Sequence, residues 1–228
     1  MTKAVFISGT GTDVGKTYIA ALLLKKMRDL GFNCGYFKPV LSGAELIDGK
    51  LIPGDCKYVL DMAGINDCVD KYVSYIFKEP VSPHLAAEID GISVKKEKIR
   101  QDFENLSKDY DYIIVEGAGG IFCPLNLKDE NIFLTDIIKM LNLDVIIVTS
   151  AKLGTLNSTI LTTEYAKNYA INLKGIIINK YDSNNLMHID NKKNIEKLSG
   201  INIISEISKN QPDIDIEKET LLALFREI

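Results

Sequence analysis

The chain has 228 residues, a length that suits one compact domain spanning 1–228 and leaves ample apolar residues for a core. Hydrophobic residues make up 46% and the formal net charge is −4, without long blocks of one sign, which argues against broad binding to nucleic acids or membranes. The N-terminal apolar run is too short for a signal peptide or a membrane span and no later run reaches that length, so a cytoplasmic location is predicted.

Short runs of β-branched and aromatic residues that end at turn residues predict the strands. The clearest runs are Ala4–Ser8, Tyr112–Val115, Val145–Thr149 and Gly175–Ile178. Cys34–Phe37 is a fifth candidate and Ile201–Ile204 a sixth. Because the runs are apolar on both faces, they are expected to lie in the interior of a parallel sheet.

Helical periodicity occurs between these runs. Lys16–Leu30 carries apolar residues at helical spacing and stops at Gly31, a residue that often ends helices. Ile132–Leu141 and Ser158–Ala170 show a similar pattern. The alternation predicts an α/β fold, a doubly wound and mainly parallel sheet flanked by helices. Ser42–Lys98 is the least regular region and is expected to decorate the edge of the sheet.

The first strand is followed by GTGTDVGKT, Gly9–Thr17, which resembles the phosphate-binding loop G-x-x-x-x-G-K-[ST]. Five residues separate Gly9 from Gly15, one more than the pattern has. Backbone N–H groups of such a loop bind phosphate, Lys16 adds a positive charge, and Thr17 can bind Mg²⁺. The alternative is a plain strand-to-helix turn. The extra residue is expected to widen the loop without destroying it, so the chain is predicted to be P-loop NTPase-like.

The second strand is followed by Lys38 and Pro39. Proline disfavours helix at the residue before it, so Lys38 is expected in an extended turn at the strand end, pointing toward Lys16. Two lysines in one crevice are costly unless a multiply charged anion lies between them. The alternative is a solvated surface lysine.

The third strand is followed by Glu116 and a glycine-rich turn. Ligands of parallel sheets bind beyond the carboxyl ends of the strands, so Glu116 is expected opposite Thr17, where a Mg²⁺ ligand is needed. Asp55 is a candidate second carboxylate, although from the residues alone it is only an acidic loop residue. The glycines allow a ligand to approach the backbone closely.

Two further strand ends carry candidate contacts. Asn179–Asp182 spells N-K-x-D, the guanine-reading pattern of GTPases, and is interpreted as support for a base contact at Asn179 with the base left open. Lys152–Asn157 is expected to open a helix whose free N–H groups would bind a carboxylate.

His84 is interpreted as a surface or packing residue. The four cysteines lack a C-x-x-C pair and are predicted to be buried or half-buried free thiols: Cys34, Cys56, Cys68 and Cys123.

These motifs occur together in an order that resembles the dethiobiotin synthetase family over Val5–Ile207. The segments that carry the resemblance are GTGTDVGKT, FKPVLSG, the Asp55 loop, EPVSPH, VEGAGG, KLGTLN and the strand-end Asn179. The resemblance implies an ATP-dependent enzyme with Mg²⁺ that carboxylates 7,8-diaminononanoate with CO₂ and closes the ureido ring. It also implies a homodimer in which the partner chain completes the active site.

The resemblance further implies roles for individual residues. Lys16 and Lys38 would be catalytic, and Thr17, Asp55 and Glu116 would bind the metal. The diamine would contact Thr12, Lys38 and Ser42, and its carboxylate tail would bind at Gly154, Thr155 and Asn157 of the partner. ATP would be bound by Asp13, Val14, Gly15, Lys16, Thr17, Tyr18, Asp55, Glu116, Gly117, Ala118, Gly119, Asn179 and Lys180.

The sequence departs from the family at Ser205–Ser208, which lacks the glycine and proline of a segment near the nucleobase. The base preference therefore stays open.

Three alternative functions are less favoured. A partition or septum-positioning ATPase needs a signature lysine early in the loop, a GTPase-like module needs a D-x-x-G switch, and a cobyric-acid-type ligase needs an added glutaminase domain.

Overall fold

The computed structural model describes all 228 residues. Its strands are β1 (Lys3–Gly9), β2 (Cys34–Ser42), β3 (Glu45–Ile47), β4 (Lys50–Ile52), β5 (Val73–Phe77), β6 (Tyr112–Glu116), β7 (Pro124–Asn126), β8 (Ile132–Phe133), β9 (Asp144–Ser150), β10 (Leu173–Asn179), β11 (Ile203–Ile207) and β12 (Arg226–Glu227). Its α-helices are α1 (Lys16–Asp29), α2 (Gly54–Met62), α3 (Pro83–Ile89), α4 (Lys96–Ser107), α5 (Leu134–Met140), α6 (Thr155–Asn168), α7 (Leu186–Ser199) and α8 (Lys218–Ala223). A short 3₁₀ helix covers Val69–Tyr72.

Seven of the strands form a parallel sheet in the order β11-β10-β9-β1-β6-β2-β5, and β12 pairs antiparallel with the start of β1. The chain runs from β1 to one side of the sheet and later crosses to β9 on the other side. The order therefore reverses beside β1, where open α/β sheets form their ligand crevice. The predicted fold class is confirmed.

The core explains why apolar strands and amphipathic helices assemble in this way. Nearly every residue of β1, β2 and β9 is buried, since helices cover both faces of the sheet. The buried hydrophobic side chains form one contiguous cluster of 61 residues that extends from Ala4 to Phe225. None of the helices has both the length and the apolar composition that crossing a membrane requires.

Several predicted boundaries were wrong. β2 does not end at Phe37 but continues to Ser42, because its first half pairs with β6 and its second half with β5. The region Ser42–Lys98 contains a true sheet strand, β5, in addition to the hairpin β3–β4. The sixth predicted strand corresponds to β11 and lies at Ile203–Ile207, not at Ile201–Ile204.

The remaining elements agree with the predictions apart from small shifts. The helix predicted from Ile132 begins at Leu134, since two residues pair as β8, and the helix predicted from Ser158 begins at Thr155. All four cysteines are free thiols, as predicted. Cys68 is exposed, however, because it lies in the loop before the 3₁₀ helix.

Candidate active site

The glycine-rich loop joins β1 to α1 and is held from behind by the end of β10. Gly15 has a φ of 96°, and a Cβ placed on it would lie 2.0 Å from Nδ2 of Asn179. That amide group donates a hydrogen bond to the carbonyl of Val14 at 3.0 Å. No side chain caps the start of α1, so its first N–H groups are free to bind an anion.

A carboxylate at the end of β6 is the centre of the site. Glu116 is fully buried, and its Oε1 accepts hydrogen bonds from the hydroxyl of Thr17 and from Nζ of Lys38, both at 2.7 Å. Its Oε2 accepts a hydrogen bond from the phenol of Tyr36 at 2.7 Å. Each oxygen of the buried carboxylate therefore has a partner, as a buried charge requires.

Lys38 joins two carboxylates. Its Nζ lies 2.7 Å from Glu116 and 2.6 Å from Oδ2 of Asp55, whose side chain is about half exposed. Burial alone would lower the pKa of Lys38, but the charges of Glu116 and Asp55 outweigh it, so that pKa is raised. Burial alone would raise the pKa of Asp55, but the charge and hydrogen bond of Lys38 outweigh burial, so the pKa of that carboxyl group is lowered.

Lys16 lies in the same cluster but has no carboxylate in direct contact. Its Nζ donates a hydrogen bond to the carbonyl of Gly11 at 3.0 Å. Burial lowers the pKa of Lys16, and the nearby charge of Glu116 offsets that effect only in part. Of the two lysines, Lys16 is thus the one whose charge is still to be balanced, which an anion at the start of α1 would do.

A cavity of about 600 Å³ contains these groups. It brings together fourteen of the predicted site residues: Thr12, Asp13, Gly15, Lys16, Thr17, Tyr18, Lys38, Ser42, Asp55, Glu116, Gly117, Ala118, Gly119 and Lys180. Lys38 reaches the cavity from within β2 and not from a turn after the strand, which corrects the position expected for it.

A second cavity of about 250 Å³ lies at the start of α6, and Thr12 lines both cavities. Gly154 and Thr155 line this second cavity, whereas Asn157 lines neither. The hydroxyl of Thr149 joins two residues that line the second cavity, at 3.1 Å from the hydroxyl of Thr10 and 2.8 Å from that of Thr155.

Three other candidates lie outside the main cavity. Val14 is buried behind the loop, and Asn179 is buried with both polar atoms of its side chain in hydrogen bonds to backbone, at Val14 and Lys180. A base contact at Asn179 stays a prediction. His84 lies on α3 beside a separate small cavity, and its Nδ1 is buried without a hydrogen-bond partner.

The sequence interpretation missed Tyr36, Val40, Leu41 and Tyr58. Tyr36 binds Glu116, and the other three line the main cavity. Strand periodicity was a usable signal, because residues two apart on a strand share a face. Lys38 and Ser42 had been assigned to the site. If β2 had been predicted at its full length, Tyr36 and Val40 would have been expected on the same face.

The donor set suits Mg²⁺. Thr17, Asp55 and Glu116 offer a hydroxyl and two carboxylates, and Mg²⁺ prefers oxygen ligands, using one or two carboxylates together with phosphate oxygens and water. The protein groups alone are too few for a closed metal site, so phosphate oxygens would complete the coordination.

Comparison with known sequences gives full-length relatives. A family model described as an AAA domain matches residues 3–216. The ATP-dependent dethiobiotin synthetase BioD of Clostridium botulinum (strain Alaska E43 / Type E3) is 49% identical, over 99% of this chain and 99% of its own. The protein of the same name from Clostridium perfringens (strain 13 / Type A) is 46% identical, over 97% and 96%.

Comparison with solved structures gives distant neighbours. A ParA family ATPase from Chlorobium tepidum TLS superposes with a TM-score of 0.58 at 17% identity, covering 98% of this chain and 90% of that one. The septum site-determining protein MinD of Pyrococcus horikoshii OT3, complexed with Mg-ADP, gives 0.55 at 20% identity, covering 98% and 86%. At such low identity these likenesses show the fold alone.

Proposed function

The chain belongs to the dethiobiotin synthetase family, and we propose that the groups of the main cavity carry out an ATP-dependent synthesis of dethiobiotin. The observation that carries this proposal is the cluster at the start of α1 in which Lys16, Lys38 and Glu116 are buried and Asp55 lies half exposed at the edge. The cluster places Lys38, a second cationic group, beside a phosphate-binding loop. Such an arrangement is expected where a small anion reacts with a bound nucleotide. A nucleotide switch or binding module, the alternative, is not favoured by the relatives.

The reaction begins with 7,8-diaminononanoate and CO₂. One amine of the diamine attacks CO₂ and loses a proton, which gives a carbamate. Ser42 and Thr12 are proposed to position the diamine, and the ammonium of Lys38 to bind the carbamate oxygens. The anion would be stabilised there because the positive charges of Lys16 and Lys38 are fixed and buried.

Phosphoryl transfer follows. A carbamate oxygen attacks the γ-phosphorus of ATP and the bond to ADP breaks, which gives a carbamic-phosphoric anhydride. The second amine then attacks the carbonyl carbon, expels phosphate and closes the five-membered urea. The residues need to supply positioning and charge stabilisation rather than a covalent intermediate, as in other phosphoryl transfers.

Residues 13–17 would bind the phosphates through the free N–H groups at the start of α1. Thr17, Asp55 and Glu116 would hold Mg²⁺, which when bound neutralises charge on the β- and γ-phosphate oxygens. Tyr18, Asn179 and Lys180 are the proposed contacts on the nucleoside side. Which base they favour is left open by the N-K-x-D pattern and by the strand that occupies Ser205–Ile207.

A homodimer is also proposed, with the tail carboxylate of the diamine bound at Gly154, Thr155 and Asn157 of the partner chain. The surface around α6 supports it, since Leu153 and Leu161 are 84% and 62% exposed and Phe122, which packs edge-on against a tyrosine of α6, is 58% exposed. Large exposed apolar groups in one region mark association sites. A protein that sediments as a monomer at assay concentration contradicts this arrangement.

The synthesis is tested by incubating the protein with 7,8-diaminononanoate, bicarbonate, Mg²⁺ and ATP. Dethiobiotin is expected by mass spectrometry, together with ADP and phosphate in equal amounts. Reactions that lack one component at a time serve as controls. No product from a folded protein with ATP, GTP and CTP each tried would overturn the proposal.

A further inference from the structure

The ammonium of Lys38 stands where a metal ion would be bound. It lies 2.6 Å from Asp55 and 2.7 Å from Glu116, and it is the only side-chain cation that contacts either carboxylate. The same two carboxylates are the proposed Mg²⁺ ligands. Mg²⁺ binds oxygen at about 2.0–2.1 Å, so a metal bound to both carboxylates would lie in nearly the same space as Nζ.

Two cations do not share such a position. At separations of a few ångströms their repulsion is large, because Lys38 and Glu116 are buried and poorly screened by solvent. The polar contacts of the Lys38 ammonium are the two carboxylates alone. Its side chain comes from β2 on the face that lines the cavity, together with Val40 and Ser42.

We propose that Lys38 and Mg²⁺ exchange at Asp55 and Glu116, so that metal binding releases the Lys38 ammonium into the cavity, where it binds the substrate anion. This inference rests on the proposed metal ligands but not on the identity of the diamine. Before the metal arrives, Lys38 bridges the two carboxylates and holds them close together. After it arrives, the metal takes over that role.

The exchange leaves Glu116 in place. Tyr36 and Thr17 donate hydrogen bonds to its two oxygens independently of Lys38. Asp55, by contrast, lies on the exposed rim of the cluster at the first turn of α2, so it can adjust to the shorter distance that a metal requires. The two cations thus compete for a carboxylate pair whose inner member is fixed.

The exchange predicts that removing the lysine strengthens metal binding while it abolishes turnover. Lys38→Met keeps the length and apolar stem of the side chain and leaves the two carboxylates without a cation. We expect the affinity of the protein–ADP complex for Mn²⁺, measured by electron paramagnetic resonance, to rise at least about ten-fold. Dethiobiotin formation is expected to fall by at least about a hundred-fold.

Lys25→Met is the matched control. Lys25 also pairs with two carboxylates, Asp29 and Asp213, each at 2.7 Å, but on the surface and outside the cavity. Its removal is expected to leave Mn²⁺ affinity and turnover unchanged. Circular dichroism and the thermal midpoint of each variant check that it is folded.

The outcomes separate the two proposals. If the unmodified protein binds Mn²⁺ clearly and Lys38→Met binds it equally or more weakly, the exchange is wrong. The proposed metal ligands are not contradicted by that result. Absence of Mn²⁺ binding by both overturns the ligands and the exchange together. Dethiobiotin formation is measured separately, so its failure is distinguishable from either result.

Discussion

The hydroxyl of Tyr36 holds one of the two oxygens of the Glu116 carboxylate in place. The phenol of Tyr36 is the only hydrogen-bond partner of Oε2 of Glu116, and the whole side chain is buried. Burial raises the pKa of Tyr36 well above its ordinary value, so the phenol remains a donor at any working pH. Without it, one oxygen of a buried carboxylate would have no partner.

Tyr36→Phe therefore has a predictable effect. The phenyl ring fills the same space, so the loss is confined to the hydrogen bond, and an unsatisfied buried oxygen costs about 1–3 kcal/mol. We expect the free energy of unfolding to fall by that amount and the Mg²⁺ concentration for half-maximal activity to rise. Urea denaturation and a Mg²⁺ titration of turnover measure the two effects.

Tyr72→Phe is the control for that substitution. Tyr72 is equally buried and its hydroxyl is also hydrogen-bonded, to Asp67 and Tyr110, but it lies outside the cavity. It is expected to lower stability without changing the Mg²⁺ dependence. If Tyr36→Phe behaves like Tyr72→Phe in both measurements, the positioning role of Tyr36 is wrong.

At the scale of elements, the strands that were predicted correctly are those with apolar residues on both faces. β1, β6, β9 and β10 carry this signal because helices bury nearly all of their residues. β5 was missed although its residues, VSYIF, are mostly apolar, because it is a short edge strand in an otherwise irregular region and pairs only with the second half of β2. That pairing is a tertiary interaction, which a local pattern does not contain.

The phosphate loop and α6 are connected by a buried group of hydroxyls. Thr149, at the end of β9, has its hydroxyl within 3.1 Å of those of Thr10, Thr155 and Thr159. A hydroxyl donates one hydrogen bond and accepts two, so Thr149 can satisfy all three partners at once. The group links the elements that border the main cavity with those that border the second one.

Thr149→Val removes the shared partner at constant volume. We expect a loss of about 1–3 kcal/mol in the free energy of unfolding, because three hydroxyls, those of the buried Thr155 and Thr159 and the half-buried Thr10, each lose a hydrogen bond. The KM for the diamine is expected to rise more than the KM for ATP, since Thr155 borders only the second cavity. Serine at the same position should restore both.

Thr163→Val supplies the comparison on the same helix. Thr163 is fully buried, but its hydroxyl bonds only to the carbonyl of Ile160 in its own helix. The cost is expected to be smaller and both KM values unchanged. Equal losses for Thr149→Val and Thr163→Val would show that the connection between the elements contributes nothing of its own.

At the scale of the whole molecule, the sequence predicted which strand ends carry the site but not how their side chains pair. The parallel α/β alternation already implies that residues after the strands gather at one edge of the sheet. It does not contain the distance between Lys38 and Asp55, which depends on how α2 packs beside β2. The two lysines were expected to need an anion between them, whereas Lys38 is balanced by carboxylates of the protein itself.

The charge cluster couples the stability of the molecule to pH in two directions. The pKa of Asp55 is lowered in the folded state, so its contribution is present above the unfolded value of about 3.8 and is lost as pH falls through the folded value. The pKa of Lys38 is raised, so its contribution is present below 10.5 and is lost at higher pH. The contribution of Lys16 to stability has the opposite sign. Its pKa is lowered by burial, so the buried charge destabilises the folded state at low pH and this cost decreases as pH rises toward 10.5.

The two lysines thus oppose each other in alkali, while in acid the contribution of Asp55 is lost. We expect the difference in unfolding free energy between the protein and Asp55→Asn, measured in urea, to shrink as pH falls below about 3.8. Above pH 5 the difference should be constant, since Asp55 is then ionised in both the folded and the unfolded state. A difference that grows in acid, or does not change with pH, would mean that Lys38 does not hold Asp55 in its ionised form.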